Sequence, residues 1–165
     1  MIVLDVCCGG RSFWFEKEND FTIFMDNRVE TIKRKDTLRK NGKRWGGWIF
    51  SIKPDIQADF SNIPFKSNTF NLVIFDPPHA KFGKSSYMAK QYGSLCNNWR
   101  DVLKSAFSEC FRVLKKNSIL IFKWNEIDIK VREILELTPE KPLFGHKSGK
   151  QMNTHWITFL KGVAK

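Results

Sequence analysis

The sequence predicts an α/β protein built on a mostly parallel β-sheet. Apolar runs with strand character alternate with helical or irregular segments along most of the chain, a pattern typical of parallel strands joined by crossovers. Two further strand candidates close the chain with no helix between them, which predicts an antiparallel edge. The 165 residues are 42% hydrophobic, so we expect one domain, residues 1–165, with a buried core.

The predicted strands are apolar runs at 1–7, 21–25, 56–58, 70–75 and 119–122, with the closing pair at about 142–147 and 153–160. Apolar residues at helical spacing predict a helix over 101–115. A second helix is predicted over 127–137, ending before Pro139. The polar, lysine-rich stretches 28–45 and 80–100 show little periodicity, so we expect loops there.

The composition excludes several classes of protein. No apolar run reaches the length needed to span a bilayer, and Asp5 interrupts the apolar N-terminus without a basic segment before it. We therefore expect a soluble, cytoplasmic protein. The four cysteines form no C-x-x-C pair, which favours reduced thiols and predicts neither a metal site nor a disulfide framework.

The charge balance favours a polyanionic partner. Lys and Arg number 28 against 17 Asp and Glu, a net charge of +11. A field of that sign attracts nucleic acid. A generally basic, soluble protein would show the same balance, so charge alone leaves both interpretations open.

Acidic residues end four of the predicted strands: Asp5, Asp26, Asp59 and Asp76. Ligands of open α/β sheets bind at the carboxyl ends of the strands. One such carboxylate would be explained by a helix cap or by solvation, but four in sequence order predict a ligand site. Gly9, directly after the first strand, would let the backbone approach that ligand closely.

These residues resemble the class I S-adenosylmethionine-dependent methyltransferases. Their first motif is D-x-G-x-G-x-G, of which Asp5 and Gly9 match, while Cys7 and Arg11 replace the outer glycines. The resemblance extends over nearly the whole chain. It implies a Rossmann-like methyltransferase fold whose seven-stranded, mostly parallel sheet ends in an antiparallel C-terminal hairpin.

The resemblance also implies S-adenosyl-L-methionine as the cofactor, bound by residues at the strand ends. Asp26 would accept hydrogen bonds from the ribose hydroxyls, and Asp59, with Phe60 beside it, would meet the adenine. Arg11 would contact the methionyl carboxylate or close over the site. The implied cofactor-binding residues are Asp5, Cys7, Gly9, Arg11, Asp26, Asp59 and Phe60.

Asp76-Pro77-Pro78-His79 directly follows the fourth predicted strand. Two prolines stiffen the turn, so the Asp76 carboxylate and the Pro77 carbonyl could hold one –NH2 group in a fixed orientation. This run resembles the D-P-P-Y motif of amino-methyltransferases that act on nucleobases. His79 departs from the usual aromatic ring: it can stack on a base, and it can also titrate. A rigid turn with a solvated His79 is the structural alternative.

Two basic segments are the candidate nucleic-acid contacts. Lysines and arginines would contact phosphates, and Trp45 could stack on a base or pack into the core. The residues assigned are Lys33, Arg34, Lys35, Arg39, Lys40, Lys43, Arg44 and Trp45 in the first segment, with Lys81 and Lys84 in the second. We expect no separate recognition domain, so these loops or a protein partner would choose the target. Lys123 and Trp124, at the end of the fifth predicted strand, could edge the pocket, but we assign them no role.

Three functions remain open from the sequence. The first is N-methylation of an exocyclic nucleobase amino group in RNA or DNA, with adenine N6 as the leading target. The second is N-methylation of a small molecule or a protein. The third is non-catalytic nucleic-acid binding by a chain that keeps the fold, which the departures at Cys7, Arg11 and His79 leave open.

Overall fold

A computed structural model of the chain describes residues 2–38, 41–83 and 86–162, with the side chains of Arg34 and Trp45 outside the description. Its strands are β1 (Val3–Asp5), β2 (Thr22–Asp26), β3 (Glu30–Arg34), β4 (Thr37–Leu38), β5 (Arg44–Trp45), β6 (Trp48–Ile52), β7 (Ile56–Gln57), β8 (Phe70–Phe75), β9 (Leu114–Asn125), β10 (Phe144–Ser148) and β11 (Thr154–Leu160). Its helices are α1 (Tyr87–Tyr92), α2 (Trp99–Val113) and α3 (Val131–Leu135). No helix among these described residues is long and apolar enough to cross a membrane.

Seven strands form one sheet in the order β10-β11-β9-β8-β1-β2-β7. The five strands from β9 to β7 run parallel, whereas β11 pairs antiparallel with β9 and β10 antiparallel with β11. The predicted fold class is confirmed, including the antiparallel C-terminal edge. The parallel order brings the carboxyl ends of β1, β2, β7, β8 and β9 to one edge of the sheet.

One hydrophobic core lies between the sheet and the helices α2 and α3. Alternate residues of the strands point into it, as the period of two requires. The Phe107 ring of α2 lies 5.4 Å from that of Phe75 and 5.0 Å from that of Phe122. These rings are almost completely buried, and Ile134 of α3 extends the same cluster.

An irregular segment, residues 11–20, covers part of the opposite face of the sheet. The Trp14 ring meets Phe24 of β2 edge-on at 5.1 Å, and the Phe13 ring meets Trp156 of β11 at 5.9 Å. Farther along this face the covering ends, and Ile119 of β9 is 39% exposed. The described part of the chain thus packs α2 and α3 on one face of the sheet and an aromatic turn on the other.

The structure differs from the sequence-based expectation in the two predicted loops. Residues 28–45 contribute to two antiparallel ribbons, β3–β6 and β4–β5. Ile32 and Ile52 are buried on one side of the longer ribbon. Because Ile32 is the single apolar residue of β3, the sequence shows no alternation of apolar and polar residues that would predict this strand. Within 80–100, Ser86 caps the short helix α1 by accepting from the backbone of Met88 and Ala89.

The second predicted helix is shorter than expected, since α3 begins at Val131 and not at 127. Side chains bond the local backbone before it starts: Asn125 Oδ1 accepts from the N–H of Ile127, and Glu126 Oε2 accepts from that of Val131. Such bonds compete with a helical turn.

An arginine on α2 fastens the loop that leads into β8. The Arg112 guanidinium donates to the carbonyls of Ile63 and Phe65 over 2.8 and 2.7 Å. It also pairs with Glu109, whose carboxylate accepts from the Ile63 N–H. These bonds hold residues 63–65, which lead into β8, against α2.

We expect Arg112→Met to lower the free energy of unfolding by about 2 kcal/mol, because it leaves two carbonyls and a carboxylate without their donor. Urea denaturation monitored by circular dichroism measures the change. The control is Arg132→Met, which removes a pair whose arginine side chain is 91% exposed and should cost under about 0.5 kcal/mol. Equal losses in both variants would contradict the role given to Arg112.

Candidate active site

The turn after β1 approaches the end of β2 through its backbone. Gly9 has a φ of +51°, a conformation that L side chains rarely adopt, and its N–H donates to Asp26 Oδ2 over 2.9 Å. A Cβ on Gly10 would overlap the outer edge of the Phe50 ring, so a larger residue here would have to displace that ring. The glycine turn therefore joins β1, β2 and the ribbon β3–β6 at one point.

Asp26 is buried and accepts hydrogen bonds at both carboxylate oxygens. Oδ1 accepts from the backbone N–H and Nε of Arg28 over 3.0 Å each, and Oδ2 accepts from Arg28 Nη2 as well as from Gly9. Arg28 Nη1 donates in turn to the Lys90 carbonyl of α1 over 3.1 Å. Arg28 thus occupies the carboxylate expected to bind a ribose, and it ties that carboxylate to α1.

The loop Asp76-Pro77-Pro78-His79, called the reactive loop for its predicted role, begins where β8 ends. The Asp76 N–H donates to Cys7 Sγ over 3.2 Å, which holds the loop against the turn after β1. Asp76 Oδ2 accepts from the Lys123 ammonium over 2.6 Å, while Oδ1 accepts from no residue within the described ranges. One oxygen of the carboxylate is therefore engaged and the other is free for an incoming donor.

His79 follows the two prolines and is half-buried. Its ring meets Trp124 edge-on at a centroid distance of 6.3 Å. Burial lowers the pKa of His79 from 6.5, so the imidazole is uncharged at neutral pH. A neutral planar ring at this position suits stacking better than proton exchange.

Asp5 lies behind the turn after β1 and is not exposed at the site. It is fully buried and accepts from Trp14 Nε1 over 2.8 Å and from the Cys7 N–H over 3.3 Å. Burial, with smaller contributions from the negative charges of Asp76 and Asp26, raises the pKa of Asp5 to about 7. Asp5 thus supports the turn and titrates in the physiological range.

A cavity of about 290 Å³ joins the glycine turn to the reactive loop. It is lined by Cys7, Cys8, Gly9, Gly10, Ser12, Phe13, Arg28, Phe50, Asp76, Pro77, His79, Gln91, Tyr92 and Lys123. A second cavity, of about 740 Å³, shares Gly9, Gly10 and Phe50 with the first. The Phe50 ring therefore stands between the two spaces.

The ribbon β3–β6 and α1 meet above the first cavity. The Tyr87 hydroxyl donates to the Lys33 carbonyl over 2.7 Å, and the Trp48 ring lies 5.6 Å from that of Tyr87. Trp48 also packs edge-on against Phe50 at 5.9 Å. These contacts make a two-part cover, with one part from each segment that the sequence predicts to be a loop.

The structure brings together some of the predicted cofactor residues. Cys7, Gly9 and the reactive loop share the first cavity, with Asp26 directly behind Gly9. Arg11 turns away: its guanidinium lies 3.8 Å from the centre of the Phe24 ring and pairs with Asp55 at 3.0 Å, beside the second cavity.

Asp59 and Phe60 lie outside the lining of the first cavity. Asp59 is exposed and accepts from the N–H and hydroxyl of Ser61, each over 2.7 Å. Phe60 packs against Phe75 at 5.6 Å.

The predicted nucleic-acid residues lie largely on the inserted ribbons. Lys33, Lys35, Lys43 and Arg44 are exposed there, with Arg44 paired to Asp36 at 3.4 Å. Lys81 is exposed after the reactive loop, and its N–H donates to Asp128. Arg34 and Trp45 are placed only as strand residues, whereas Arg39, Lys40 and Lys84 lie outside the described residues.

Sequence reasoning missed four residues that shape the site: Trp14, Arg28, Phe50 and Lys123. Three are aromatic or basic residues in segments without periodicity, so only their contacts distinguish them. Lys123 carried a signal, since a charged residue at the end of an otherwise apolar strand reaches the ligand edge of a parallel sheet.

The residues present fit a nucleoside cofactor with one adjustment. The backbone at Gly9 is open to close approach, which suits the amino-acid group of such a cofactor. The buried carboxylate of Asp26 is a hydrogen-bond acceptor, which suits a ribose. The first cavity lies at the lower end of the range for ligand sites, and Arg28 holds the acceptor. Binding a cofactor of that class would therefore require Arg28 to leave Asp26.

We expect Asp5→Asn to flatten the pH dependence of stability. Because the pKa of Asp5 is about 7 in the folded protein and ordinarily 3.8, folding takes up a proton between those values. The free energy of unfolding should fall as pH rises from 4 to 7, by an amount on the order of a few kcal/mol. Asn at position 5 carries no titrating proton, so the free energy of unfolding of the variant should stay nearly constant over this range.

Thermal unfolding across pH 4 to 8 measures this effect. Asp20→Asn, at an exposed position, is the control and should run parallel to the wild type. An Asp5→Asn curve that also runs parallel would show that Asp5 does not titrate on folding.

Comparisons with known proteins show the fold. No family model matches the sequence, and no curated protein matches it significantly. Among solved structures, the PH0226 protein of Pyrococcus horikoshii OT3 is 16% identical with a TM-score of 0.60, covering 96% of this chain and 81% of that one.

Two further solved structures carry the name of a SAM-dependent methyltransferase. The protein from Leishmania major is 12% identical with a TM-score of 0.55, and the match covers 96% of this chain and 63% of that one. The protein from Aquifex aeolicus is 12% identical with a TM-score of 0.50, covering 97% and 81%. The chain thus spans less than two thirds of the Leishmania protein, and at these identities the likeness concerns the fold. This chain has the Rossmann-like fold of the S-adenosylmethionine-dependent methyltransferases.

Proposed function

We propose that this protein is an S-adenosylmethionine-dependent N-methyltransferase that acts on an exocyclic amino group of a nucleobase in RNA or DNA, with adenine N6 as the leading target. The observation that carries the proposal is the shared cavity. It places the glycine turn after β1 and the Asp76-Pro77-Pro78-His79 loop after β8 on the two sides of one space.

Gly9 and Asp26 would hold the cofactor, with Cys7 against it. S-adenosylmethionine supplies a methyl group already activated on a sulfonium sulfur, so the new N–C bond forms as the S–C bond breaks. The protein then needs to position the amino group and to accept a proton. Asp76 Oδ1 is free to accept the first N–H, and the Pro77 carbonyl would accept the second.

The order of events follows from the charges. An amino group conjugated to a base keeps its protons until the N–C bond forms, after which one N–H becomes acidic. Asp76, beside that nitrogen, would take this proton and pass it to solvent. Positioning of this kind supplies a large part of the rate enhancement for an activated donor.

His79 supports a planar substrate. Its lowered pKa leaves the ring uncharged at neutral pH, and it lines the cavity beside Asp76. A neutral imidazole can stack on a base face, as the aromatic ring of the usual motif does. A base inside a duplex would have to be flipped out at a cost of a few kcal/mol, which a single-stranded target avoids.

The basic ribbons favour a polyanion over a small molecule. Lys33, Lys35 and Lys43 are exposed on the basic segment that leads into β6, whose Phe50 lines the cavity. Such lysines would contact the phosphates of a nucleic-acid substrate. Methylation of a small molecule or a protein by the same cavity is the alternative, and a protein partner could add to target choice.

Non-catalytic binding has one observation in its favour, which is the contact of Arg28 with Asp26. Titration calorimetry with S-adenosylmethionine and with S-adenosylhomocysteine separates the two functions. Absence of any binding would overturn the enzyme proposal and favour the non-catalytic one.

We expect purified protein to transfer label from methyl-labelled cofactor into nucleosides when it is offered separate pools of RNA, DNA and protein extract. Digestion and chromatography then identify the labelled nucleoside. Label found only in protein or in metabolites would contradict the nucleobase proposal.

We expect Asp76→Ala to abolish transfer while calorimetry shows cofactor affinity within about threefold of the wild type, because the carboxylate is proposed to hold the substrate. Asp128→Ala, a nearby exposed carboxylate, is the control and should keep its activity. Normal transfer by the Asp76 variant would refute the role of this residue.

We expect the combined change of Lys33, Lys35 and Lys43 to Ala to weaken RNA binding and to reduce its salt dependence by up to about two units of slope, since up to three phosphate contacts are removed. Fluorescence anisotropy with a labelled single-stranded RNA measures both. The matched control changes three exposed lysines elsewhere, Lys104, Lys116 and Lys130, to Ala, with the same loss of charge. Equal weakening by both sets would show that only net charge matters.

A further inference from the structure

Lys123 places a positive charge on the floor of the cavity. It lies near the end of β9, and its Nζ donates to Asp76 Oδ2 over 2.6 Å. Its side chain is 26% exposed and that of Asp76 is 18% exposed. An ion pair so shielded interacts more strongly than a surface pair and is less screened by salt.

Two aromatic rings hold the Lys123 ammonium from other directions. Nζ lies 5.6 Å from the centre of the Phe13 ring and 5.4 Å from that of Trp156, within the range of cation–π attraction. Phe13 comes from the turn after β1 and Trp156 from β11, so three separate elements surround this charge. The ammonium is therefore a fixed feature of the site.

Arg28, the other charged residue that lines the cavity, is already paired with Asp26. The remaining titratable groups near Asp76 contribute little charge. His79 is neutral at neutral pH, and burial raises the pKa of Cys7 well above its usual range, so its thiol is uncharged. Asp5, behind the turn, is partly protonated near pH 7. The carboxylate that faces an incoming amino group is thus already matched by one cation.

We infer that Lys123 is a specificity-determining residue, which restricts the methyl acceptor to uncharged amino groups by neutralising Asp76 and leaving only its Oδ1 to accept a hydrogen bond. This inference rests on the proposed function. A lone carboxylate would attract an aliphatic ammonium ion, whereas the fixed Lys123 charge repels one. An amino group conjugated to a heteroaromatic ring is uncharged at neutral pH and meets no such repulsion.

Lys123 also acts on the geometry of the carboxylate. The bond to Oδ2 sets the rotation of the Asp76 side chain and so directs Oδ1 toward the cavity. Loss of the bond would free that rotation, and misplacement of a reacting group by about 1 Å costs up to about 100-fold in rate. Lys123 is a positioning residue in this respect, since it acts through Asp76.

The test compares Lys123→Met, which removes the charge at similar length, with Lys123→Arg, which keeps it. Each protein is given methyl-labelled cofactor and two acceptors, a random single-stranded RNA pool and Nα-acetyl-lysine amide, at neutral pH. We expect Lys123→Met to lose about 10- to 100-fold in kcat on RNA and to show an increased ratio of lysine to RNA methylation. Lys123→Arg should keep the wild-type acceptor ratio.

The matched control is Lys115→Met, a half-buried lysine at the other end of β9 whose Nζ donates to Asn71. It should leave both readouts unchanged. Lys123→Gln replaces Lys123→Met if circular dichroism shows that the methionine variant does not fold.

The outcomes separate this inference from the proposed function. An active wild type with a Lys123→Met variant of unchanged kcat on RNA and unchanged acceptor ratio would overturn the inference alone. A wild type that prefers the lysine amide would overturn the inference together with the nucleobase target. A wild type that binds no cofactor would overturn the proposed function, and the inference with it.

Discussion

The parallel pairing of β8 with both β1 and β9 is the constraint on which the rest of the site depends. In this register Ile74 lies opposite Asp5, and Phe75 lies opposite Phe122. Asp76, the next residue, therefore emerges between Cys7 on one side and Lys123 on the other. The backbone bond to Cys7 and the ion pair with Lys123 both follow from that placement. A register shift of one residue would turn each of these side chains to the opposite face.

Three carboxylates that converge at this edge are stabilised in three different ways. Asp26 accepts from an arginine and a glycine N–H, Asp76 pairs with a lysine, and Asp5 has only the neutral donors Trp14 Nε1 and Cys7 N–H. The raised pKa of Asp5 is the consequence, because burial without a cation disfavours the charged form. The protein thus separates a buried carboxylate that supports the turn from two carboxylates that are paired with cations.

Two segments, the ribbon β3–β6 and α1, determine how open the site is. A Rossmann-like sheet leaves its ligand edge open, and here the ribbon β3–β6 and α1 cover it through the contacts of Phe50, Trp48 and Tyr87. Arg28 connects that cover to Asp26, because its guanidinium donates both to the carboxylate and to the Lys90 carbonyl of α1. Any ligand that donates to Asp26 would therefore compete with a guanidinium that also bonds α1.

The sequence by itself determined which segments form the sheet and that most of them run parallel, since long apolar runs such as Phe70–Phe75 fit a buried parallel strand. The order of the strands in the sheet came from the structure. The sequence also placed Gly9, Asp26 and Asp76 at the ligand edge, because strand ends mark that edge. Only the tertiary structure decided the partners of those residues. The Arg28–Asp26 and Lys123–Asp76 pairs, the Trp14 donor to Asp5 and the Phe50 contact with Gly10 join positions that share no periodicity. Such contacts depend on the register of neighbouring strands and on the path of irregular segments. The local sequence pattern encodes neither of these.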